Sequence, residues 1–303
     1  KFAHPHKIWL AEHALEHATR LGTIGVSKYG AFTPRTTWPP QTQETEVAHE
    51  QGPFKYAPSG DGYVDWHLNF AHPDAFCFYA GPLFAQDEHQ VCEHPLLGAV
   101  REFLIAQGDA TTVIDAAGSP APLLIQGVPR SLEIDTTKGL YGRAFAESTL
   151  ELVQKHTHLL SPPTYSNIVA VAAPQGGNGR YDARQIETIL ATAFSAFCAC
   201  SVESTTRLAP RRPKVVIHTG FWGCGAFGGD RVLMTLLQVV AAQLARIDRV
   251  VFYTWDEEGT QDFSRAMDIL GELVPQDGNR YGMLQLVMAI KKLGFTWGES
   301  DGN

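Results

Sequence analysis

Residues 214–255, KVVIHTGFWGCGAFGGDRVLMTLLQVVAAQLARIDRVVFYTW, contain the pattern that decides the fold prediction. The segments KVVIHTG (214–220) and DRVVFYTW (248–255) are short apolar runs typical of buried strands, and the apolar residues between them recur at helical spacing. A strand, a helix and a strand in this order form a βαβ unit, in which the two strands lie parallel in one sheet. The sequence therefore predicts an α/β fold with a largely parallel sheet and helices on its faces.

Glycines are concentrated between the first of these strands and the helix, at positions 220, 223, 225, 228 and 229. Glycine allows positive φ and lets a ligand approach the main chain, and the N–H groups at a helix start bind phosphate. The letters GCGAFG (223–228) match the dinucleotide fingerprint GxGxxG, but the acidic residue that completes it about 20 positions later is missing. We expect this loop to bind a phosphate or a diphosphate; a tight structural turn is the alternative.

The remaining elements are predicted from the same periodicities. YVDWHLNFA (63–71) and SNIVAVAAP (166–174) have the pattern of strands, APLLIQGVPR and RSLEID that of two short strands, and Asp182 is placed to cap a helix that follows it. Residues 8–21 repeat apolar positions at helical spacing, which predicts a helix whose buried face consists of Ile8, Leu10, Ala14, Leu15 and Ala18.

A second motif lies in FYAGPLFAQDEHQVCEHP (78–95), where a glycine- and proline-containing loop leads into an acidic helix that is broken or restarted at Pro95. Gln86, Asp87 and Glu88 stand side by side at the start of this helix. Polar side chains at a helix start cap its N–H groups and complement its dipole. The same three side chains could instead form a catalytic group over a ligand, and the residues alone leave both interpretations open.

Composition limits the kinds of partner. A formal net charge of −8 argues against general binding to nucleic acid or to an anionic membrane, and no uninterrupted apolar run approaches the ~20 residues that a membrane helix requires. The five cysteines (77, 92, 198, 200, 224) form no CxxC pair, and the twelve histidines show no HExxH spacing. We therefore expect no disulfide scaffold, no metal and no cofactor, and an intracellular location.

The glycine loop resembles a known family. TGFWGCGAFGGD (219–230), the alanine-rich helix after it and the strand ending in VVFYTW are similar to the C-terminal part of the poly(ADP-ribose) glycohydrolases, whose loop reads TGNWGCGAFGGD. NFA (69–71) lies as far before QDE (86–88) as the family's DFA lies before its catalytic QEE, and NIVAVAA (167–173) is similar to the family's IVAIDA strand. The resemblance extends over roughly residues 60–270.

This resemblance implies a fold and a site. The implied fold is a macrodomain-like three-layer αβα sandwich with a mixed, largely parallel sheet and N-terminal helical additions. The implied reaction is hydrolysis of a glycosidic bond of ADP-ribose, in which Glu88 corresponds to the acid that protonates the leaving oxygen and then activates water. Asp87 and Gln86 correspond to the residues that hold the ribose. The further substrate-binding positions are Asn69, Gly223, Gly225, Ala226, Phe227 and Gly228 with Trp255 beside the adenine and Tyr141 covering the ligand.

Several ligand-contacting positions depart from the family pattern. Asp87 is one methylene shorter than the family's Glu, Phe221 replaces the Asn of GNWGCG, and the family's GGG diphosphate loop aligns with residues 76–78, Phe-Cys-Phe. An ADP-ribosyl glycohydrolase acting on poly- or mono-ADP-ribosylated substrates is the first interpretation. A binding module that does not cut ADP-ribose and a hydrolase for another nucleoside-diphosphate sugar are the alternatives. Cys224 as a nucleophile ranks below a structural cysteine.

The chain shows no internal repeat and no low-complexity tract, which favours a single domain. We predict one domain over residues 1–303, with an N-terminal extension at 1–60, a core at 61–270 and a C-terminal helical segment at 271–303. The predicted partner is ADP-ribose or an ADP-ribosylated macromolecule, and we expect a monomer.

Overall fold

The structure, a computed structural model, describes residues 2–16, 22–34, 37–40, 44–208, 213–275 and 278–302. The helices are α1 (Pro5–Glu16), α2 (Gln86–Glu93), α3 (Leu96–Gln107), α4 (Arg143–Glu147), α5 (Leu150–Lys155), α6 (Ala183–Glu203), α7 (Arg231–Leu244), α8 (Glu257–Leu273) and α9 (Met283–Lys292). The strands are β1 (Gly25–Lys28), β2 (Glu46–Glu50), β3 (Tyr63–Phe70), β4 (Leu123–Ile134), β5 (Thr157–Val171), β6 (Lys214–Gly220) and β7 (Arg249–Tyr253).

All these strands join one seven-stranded sheet in the order β1-β4-β5-β3-β6-β7-β2. The five strands β5, β3, β6, β7 and β2 are parallel, whereas β4 is antiparallel to both β5 and β1. The sheet is therefore mixed and largely parallel, as predicted. Both edge strands, β1 and β2, come from residues 1–60.

Alternating side chains of the strands support two separate hydrophobic layers, because successive strand residues point to opposite faces. On β5, Val169 and Val171 join the cluster formed with α6, α7 and α9, whereas Ile168 and Ala170 join the cluster that contains α3. Helices thus cover both faces of the sheet, which gives the expected three-layer arrangement.

The long helix α6 begins where the sequence predicts. Asp182 accepts a hydrogen bond from the N–H of Gln185, and the Gln185 side chain accepts in turn from the N–H of Asp182, which forms a capping box. The helical segment 183–206 is long and apolar enough to span a membrane by composition, but 61% of its most apolar window is buried against the rest of the protein. It packs against α7 and belongs to the core.

Several predicted boundaries were wrong. APLLIQGVPR and RSLEID form one strand, β4, because register shifts between Ile125 and Val128 and between Arg130 and Leu132 let a single strand bend without ending. Strand β5 begins at Thr157, before the predicted SNIVAVAAP run, because its first half pairs with the end of β4. The predicted helix at 8–21 begins earlier, at Pro5.

The predicted buried face of α1 is only half correct. Leu10 and Ala14 are buried, but Ile8 is 37% and Leu15 56% exposed, because α1 packs on α2 and β4 along a narrow stripe. Ala18 lies outside the described residues.

Candidate active site

A cavity of about 690 Å³ lies where the parallel strands β3, β6 and β7 end. Ligands of open α/β sheets bind outside the carboxyl ends of such strands, and the volume is in the range of small-molecule sites. Its lining comes from distant parts of the chain and includes Phe54, Phe78, Gln86, Asp87, Glu88, Tyr141, Ala173, Gly223, Gly225, Ala226, Phe227, Arg231, Trp255, Glu299 and Asp301.

The position of Glu88 is compatible with both of the interpretations that the sequence left open. Its Oε2 accepts a hydrogen bond of 3.0 Å from the N–H of Ala85, the residue that precedes α2, so the side chain caps its own helix. The same side chain is 2% exposed and lines the cavity. Removal from water raises the pKa of Glu88, and the nearby Lys7 ammonium opposes this rise.

Asp87 lies beside Glu88 and is also buried. Its Oδ1 accepts a hydrogen bond of 2.9 Å from Nδ2 of Asn69 at the end of β3. Burial and the neighbouring Glu88 carboxylate raise the pKa of Asp87, while the Asn69 bond lowers it. Burial thus favours the protonated form of both carboxyls, and a general acid must be protonated when it acts.

Gln86 joins α2 to the sheet. Its Oε1 accepts a hydrogen bond of 2.8 Å from the N–H of Phe70, and its Nε2 donates to the carbonyl of Leu68 at 3.1 Å. The amide thereby fixes the start of α2 against the end of β3. The remaining Nε2 hydrogen is the group with which Gln86 can reach a ligand in the cavity.

Lys7 of α1 supports the loop before α2. The side chain is fully buried, and its Nζ donates to the carbonyls of Tyr79 at 3.1 Å and Leu83 at 2.5 Å. Burial lowers the pKa of Lys7, whereas the charges of Cys92, Glu88 and Asp87 raise it. Sequence reasoning missed this residue, because nothing in its local pattern indicates a contact with a loop more than seventy residues away.

The glycine loop forms another part of the cavity wall. Gly223 has φ +77°, and a Cβ there would lie 2.5 Å from the Cβ of Ala173, so only glycine fits. The loop is closed by backbone bonds from Gly228 N–H to the Gly225 carbonyl at 3.0 Å and from Gly229 N–H to the Gly223 carbonyl at 2.9 Å. Burial raises the pKa of the Cys224 thiol, which favours a structural cysteine over a nucleophile.

Aromatic side chains form a further part of the cavity wall, which we call the aromatic mouth. Tyr141 and Trp255 approach to 5.0 Å between ring centroids, and Trp255 follows β7 with φ +65°, an uncommon conformation for a bulky residue. The Arg231 guanidinium lies over the Phe221 ring at 5.0 Å. Phe221 therefore holds the cation that stands next to the glycine loop.

The Phe-Cys-Phe segment at residues 76–78 forms a turn beside the cavity. Phe76 is buried at φ +58°, a left-handed conformation that glycine adopts without cost. Phe78 is 49% exposed and lines the cavity. A phenyl ring therefore forms part of the cavity wall next to this left-handed turn.

The structure brings most of the predicted site residues into one cavity. Asn69 and Gly228 are the exceptions: neither lines it, and Asn69 instead lies fully buried behind Asp87. The predicted contact of Asn69 with substrate stays a prediction, and the observed contact is with Asp87. Among the described residues, no group of three or more His, Cys, Asp or Glu side chains is arranged to hold a metal ion.

Sequence reasoning also missed Glu299 and Asp301, which line the cavity from the end of the described chain. No periodicity or motif surrounds them. Their negative charge was the only feature of the sequence that could have indicated a position in the site.

Comparisons with known proteins find similarity to poly(ADP-ribose) glycohydrolases. Residues 136–262 match a family model described as poly(ADP-ribose) glycohydrolase (PARG), Macro domain fold. Poly(ADP-ribose) glycohydrolase 1 of Caenorhabditis elegans is 50% identical over 36 residues, and the match covers 12% of this chain and 5% of that protein.

The comparison with solved structures also finds poly(ADP-ribose) glycohydrolases. The glycohydrolase of Thermomonospora curvata bound to the inhibitor ADP-HPD is 18% identical, with 84% of this chain and 87% of that chain covered and a TM-score of 0.48. The Deinococcus radiodurans enzyme in complex with ADP-ribose is 15% identical, with 89% and 93% covered and a TM-score of 0.46. The match over residues 136–262 confirms the resemblance to the poly(ADP-ribose) glycohydrolases that the sequence predicts, and with it the macrodomain class of this α/β fold.

Proposed function

We propose that the protein hydrolyses a glycosidic bond of ADP-ribose in a poly- or mono-ADP-ribosylated substrate, with Glu88 as the general acid and base. The observation that carries the proposal is that Glu88 and the loop Gly223–Phe227 line the same cavity, although they lie far apart in the sequence. A nucleotide diphosphate on the glycine loop would place its ribose toward α2. The family match to residues 136–262 supports the choice of ADP-ribose as ligand.

The proposed reaction uses the raised pKa of Glu88. Protonated Glu88 gives its proton to the leaving oxygen while the bond from that oxygen to the anomeric carbon breaks, which leaves an oxocarbenium-like ribose. The Glu88 carboxylate then takes a proton from water, whose oxygen adds to the anomeric carbon. Asp87, fixed by Asn69, accepts hydrogen bonds from ribose hydroxyls.

The aromatic mouth supplies the rest of the binding site. Trp255 and Tyr141 present the ring faces on which an adenine can stack, and offset aromatic stacking is favourable at the 4.5–7 Å spacing found in proteins. Phe227 lies in the glycine loop, where it can pack against the distal ribose.

A second function, ADP-ribose binding without hydrolysis, has one specific observation in its favour. Phe78 stands at the cavity wall where the family has glycine, and its ring limits how closely a diphosphate can approach the backbone there. Positioning errors of about 1 Å reduce catalysis about 10²-fold, so binding can persist where turnover does not.

Calorimetry with ADP-ribose and a product assay on mono- and poly-ADP-ribosylated protein separate these functions. The proposal predicts saturable ADP-ribose binding together with release of ADP-ribose from at least one of the two substrates. Binding without release from either substrate would favour the binding module. If the protein neither binds nor releases ADP-ribose but hydrolyses another nucleoside-diphosphate sugar, both proposed functions are rejected.

We further propose that the chain acts as a single-domain monomer inside the cell. The described cysteines are all free thiols, which suits a reducing compartment, and both sheet edges are supplied by residues 1–60, which suits one cooperative unit. Light scattering at micromolar concentration and a single unfolding transition in urea test the oligomeric state and the domain count.

A further inference from the structure

A short segment near the end of the described chain crosses the glycine loop. Trp297 anchors it: the ring stacks on Tyr181 at 4.2 Å between centroids, and the backbone N–H of Trp297 donates to the Gly179 carbonyl at 2.9 Å. Beyond this anchor, Gly298 N–H donates to the Gly228 carbonyl at 2.9 Å. We call residues 298–301 the acidic strap.

The acidic strap lies in direct contact with the loop. A Cβ on Gly228 would come within 3.0 Å of the Gly298 carbonyl oxygen, and a Cβ on Gly225 within 3.1 Å of Oδ2 of Asp301. The Asp301 N–H also points to the Gly225 carbonyl at 3.4 Å. A carboxylate of the protein therefore stands against the backbone on which a diphosphate would be bound.

The negative charges of the acidic strap repel a diphosphate. Glu299 and Asp301 line the cavity together with Asp87 and Glu88, and the Asp301 charge helps to raise the pKa of Tyr141, after burial. Like charges at contact distance oppose binding, most strongly where water is partly excluded.

The acidic strap is more exposed to solvent than its anchor. Residues 298–302 are exposed, and segments with few apolar contacts and exposed hydrogen bonds open at low free-energy cost. Trp297, in contrast, is half-buried. The chain can therefore leave the glycine loop by rotating beyond Trp297 while the anchor stays in place.

We propose that the acidic strap competes with the diphosphate of the ligand for the glycine loop and leaves the loop when the ligand binds. The strap thereby lowers the affinity of the resting protein for anionic ligands. The identity of the ligand as ADP-ribose rests on the proposed function; the competition for the loop does not.

Neutralising the strap tests the proposal. The double variant Glu299→Gln/Asp301→Asn should bind ADP-ribose about tenfold more tightly or better in calorimetry, because two repelling charges are lost. Glu187→Gln/Asp268→Asn changes the net charge equally at exposed helix positions away from the cavity, and its Kd should stay within about twofold of the wild type. Unchanged or weaker binding in the strap variant would overturn the proposal.

The rate of amide hydrogen exchange gives a second test, because a change of charge alone does not alter this rate. In the wild type, saturation with ADP-ribose should accelerate exchange in a peptide spanning residues 295–302, because the Gly298 bond to Gly228 is broken. Most ligands slow exchange around their site, so slower exchange in this peptide would contradict displacement.

Inorganic pyrophosphate separates this proposal from the proposed function. If no variant binds ADP-ribose, the glycohydrolase assignment fails, and titration with pyrophosphate then decides about the strap. Tighter pyrophosphate binding by the strap variant than by the matched control supports competition for the loop. Equal binding by the two variants overturns it.

Discussion

At the scale of single residues, the site depends on carboxyl groups held in an environment that favours their protonated form. Glu88 is kept in place by the Ala85 N–H that it caps, and Asp87 by Asn69. The sequence placed both acids at a helix start. It gave no sign of Lys7, which arrives from a separate helix and opposes the rise in the pKa of Glu88.

Replacing Lys7 should move the pH dependence of turnover. The Lys7 charge favours the ionised carboxylates, so Lys7→Met should raise the pKa of Glu88 further and shift the alkaline limb of the kcat profile to higher pH. Lys7→Arg keeps the charge and should leave the limb in place.

The position of the limb is independent of how much folded enzyme is present, so a purely structural effect would lower its height only. The groups that interact electrostatically with Glu88 are Lys7 of α1, Asp87 and Cys92 of α2, Cys77 of the preceding loop and Tyr141. An identical limb in Lys7→Met and the wild type would refute the electrostatic role of Lys7.

Asp87 should also make folding stability depend on pH. Its pKa is raised in the folded state, so the folded protein binds this proton more tightly than the unfolded chain, and the resulting stability is lost as pH rises through the folded-state pKa. Asp87→Asn should therefore unfold at higher urea concentration than the wild type at pH 9, and should lose this advantage at pH 5. Asp268→Asn, an exposed position of α8, is the control. A constant difference across this range would contradict the raised pKa.

At the scale of elements, α2 is fastened to the sheet by a buried ion pair. The Glu93 carboxylate receives two hydrogen bonds from Arg130 of β4, at 2.8 and 3.2 Å, and one from the N–H of Ile134 at 2.8 Å. Burial raises the pKa of Glu93, but His89 and Arg130 outweigh it and lower the pKa to about 2. This attachment fixes the orientation in which α2 presents Asp87 and Glu88.

Breaking this pair should be strongly destabilising. Glu93→Gln leaves the Arg130 guanidinium without its buried countercharge, and removal of one partner of a buried pair costs about 3–5 kcal/mol of unfolding free energy. Glu133 contacts the same guanidinium at 3.6 Å but is 54% exposed, so Glu133→Gln should cost less than about 1 kcal/mol. Urea denaturation of both variants measures the difference, and equal costs would show that burial does not matter here.

Most elements near the site could be predicted because their signals are local. The βαβ pattern at 214–255 and the strand at 63–71 are continuous apolar runs with clear breaks, and they appear in the structure almost as expected. The single strand β4 could not be predicted from its glycine and proline, because pairing with β5 carries it through both irregularities. Contacts with β5 therefore continued the strand at positions where the local sequence indicated that it would end.

At the scale of the whole molecule, the cavity is built by strands whose carboxyl ends meet at one edge of the sheet. The ends of β3, β6 and β7 bring the acidic helix and the glycine loop together, and this convergence follows from the parallel order of the strands. The acidic strap reaches the same edge from the far end of the chain. Its position depends on the Trp297 contact with Tyr181, which no local pattern indicates.

Ligand binding should stabilise the whole fold, because the glycine loop and α2 belong to the same sheet edge. One site occupied at 100 times its Kd adds about 2.7 kcal/mol to the unfolding free energy of a two-state protein. Thermal unfolding with increasing ADP-ribose should therefore show a rising Tm in the wild type. A Tm that does not change at millimolar ADP-ribose would contradict the proposed ligand.

The most direct test of the central claim is the single-turnover release of ADP-ribose from an ADP-ribosylated protein by Glu88→Gln. Glutamine keeps the cap on Ala85 through its amide oxygen but can neither donate the carboxylic proton nor take one from water. The variant should bind ADP-ribose with a Kd within about threefold of the wild type and release product about 10²–10⁴-fold more slowly. Wild-type release by Glu88→Gln would contradict the assignment of Glu88 as the catalytic acid.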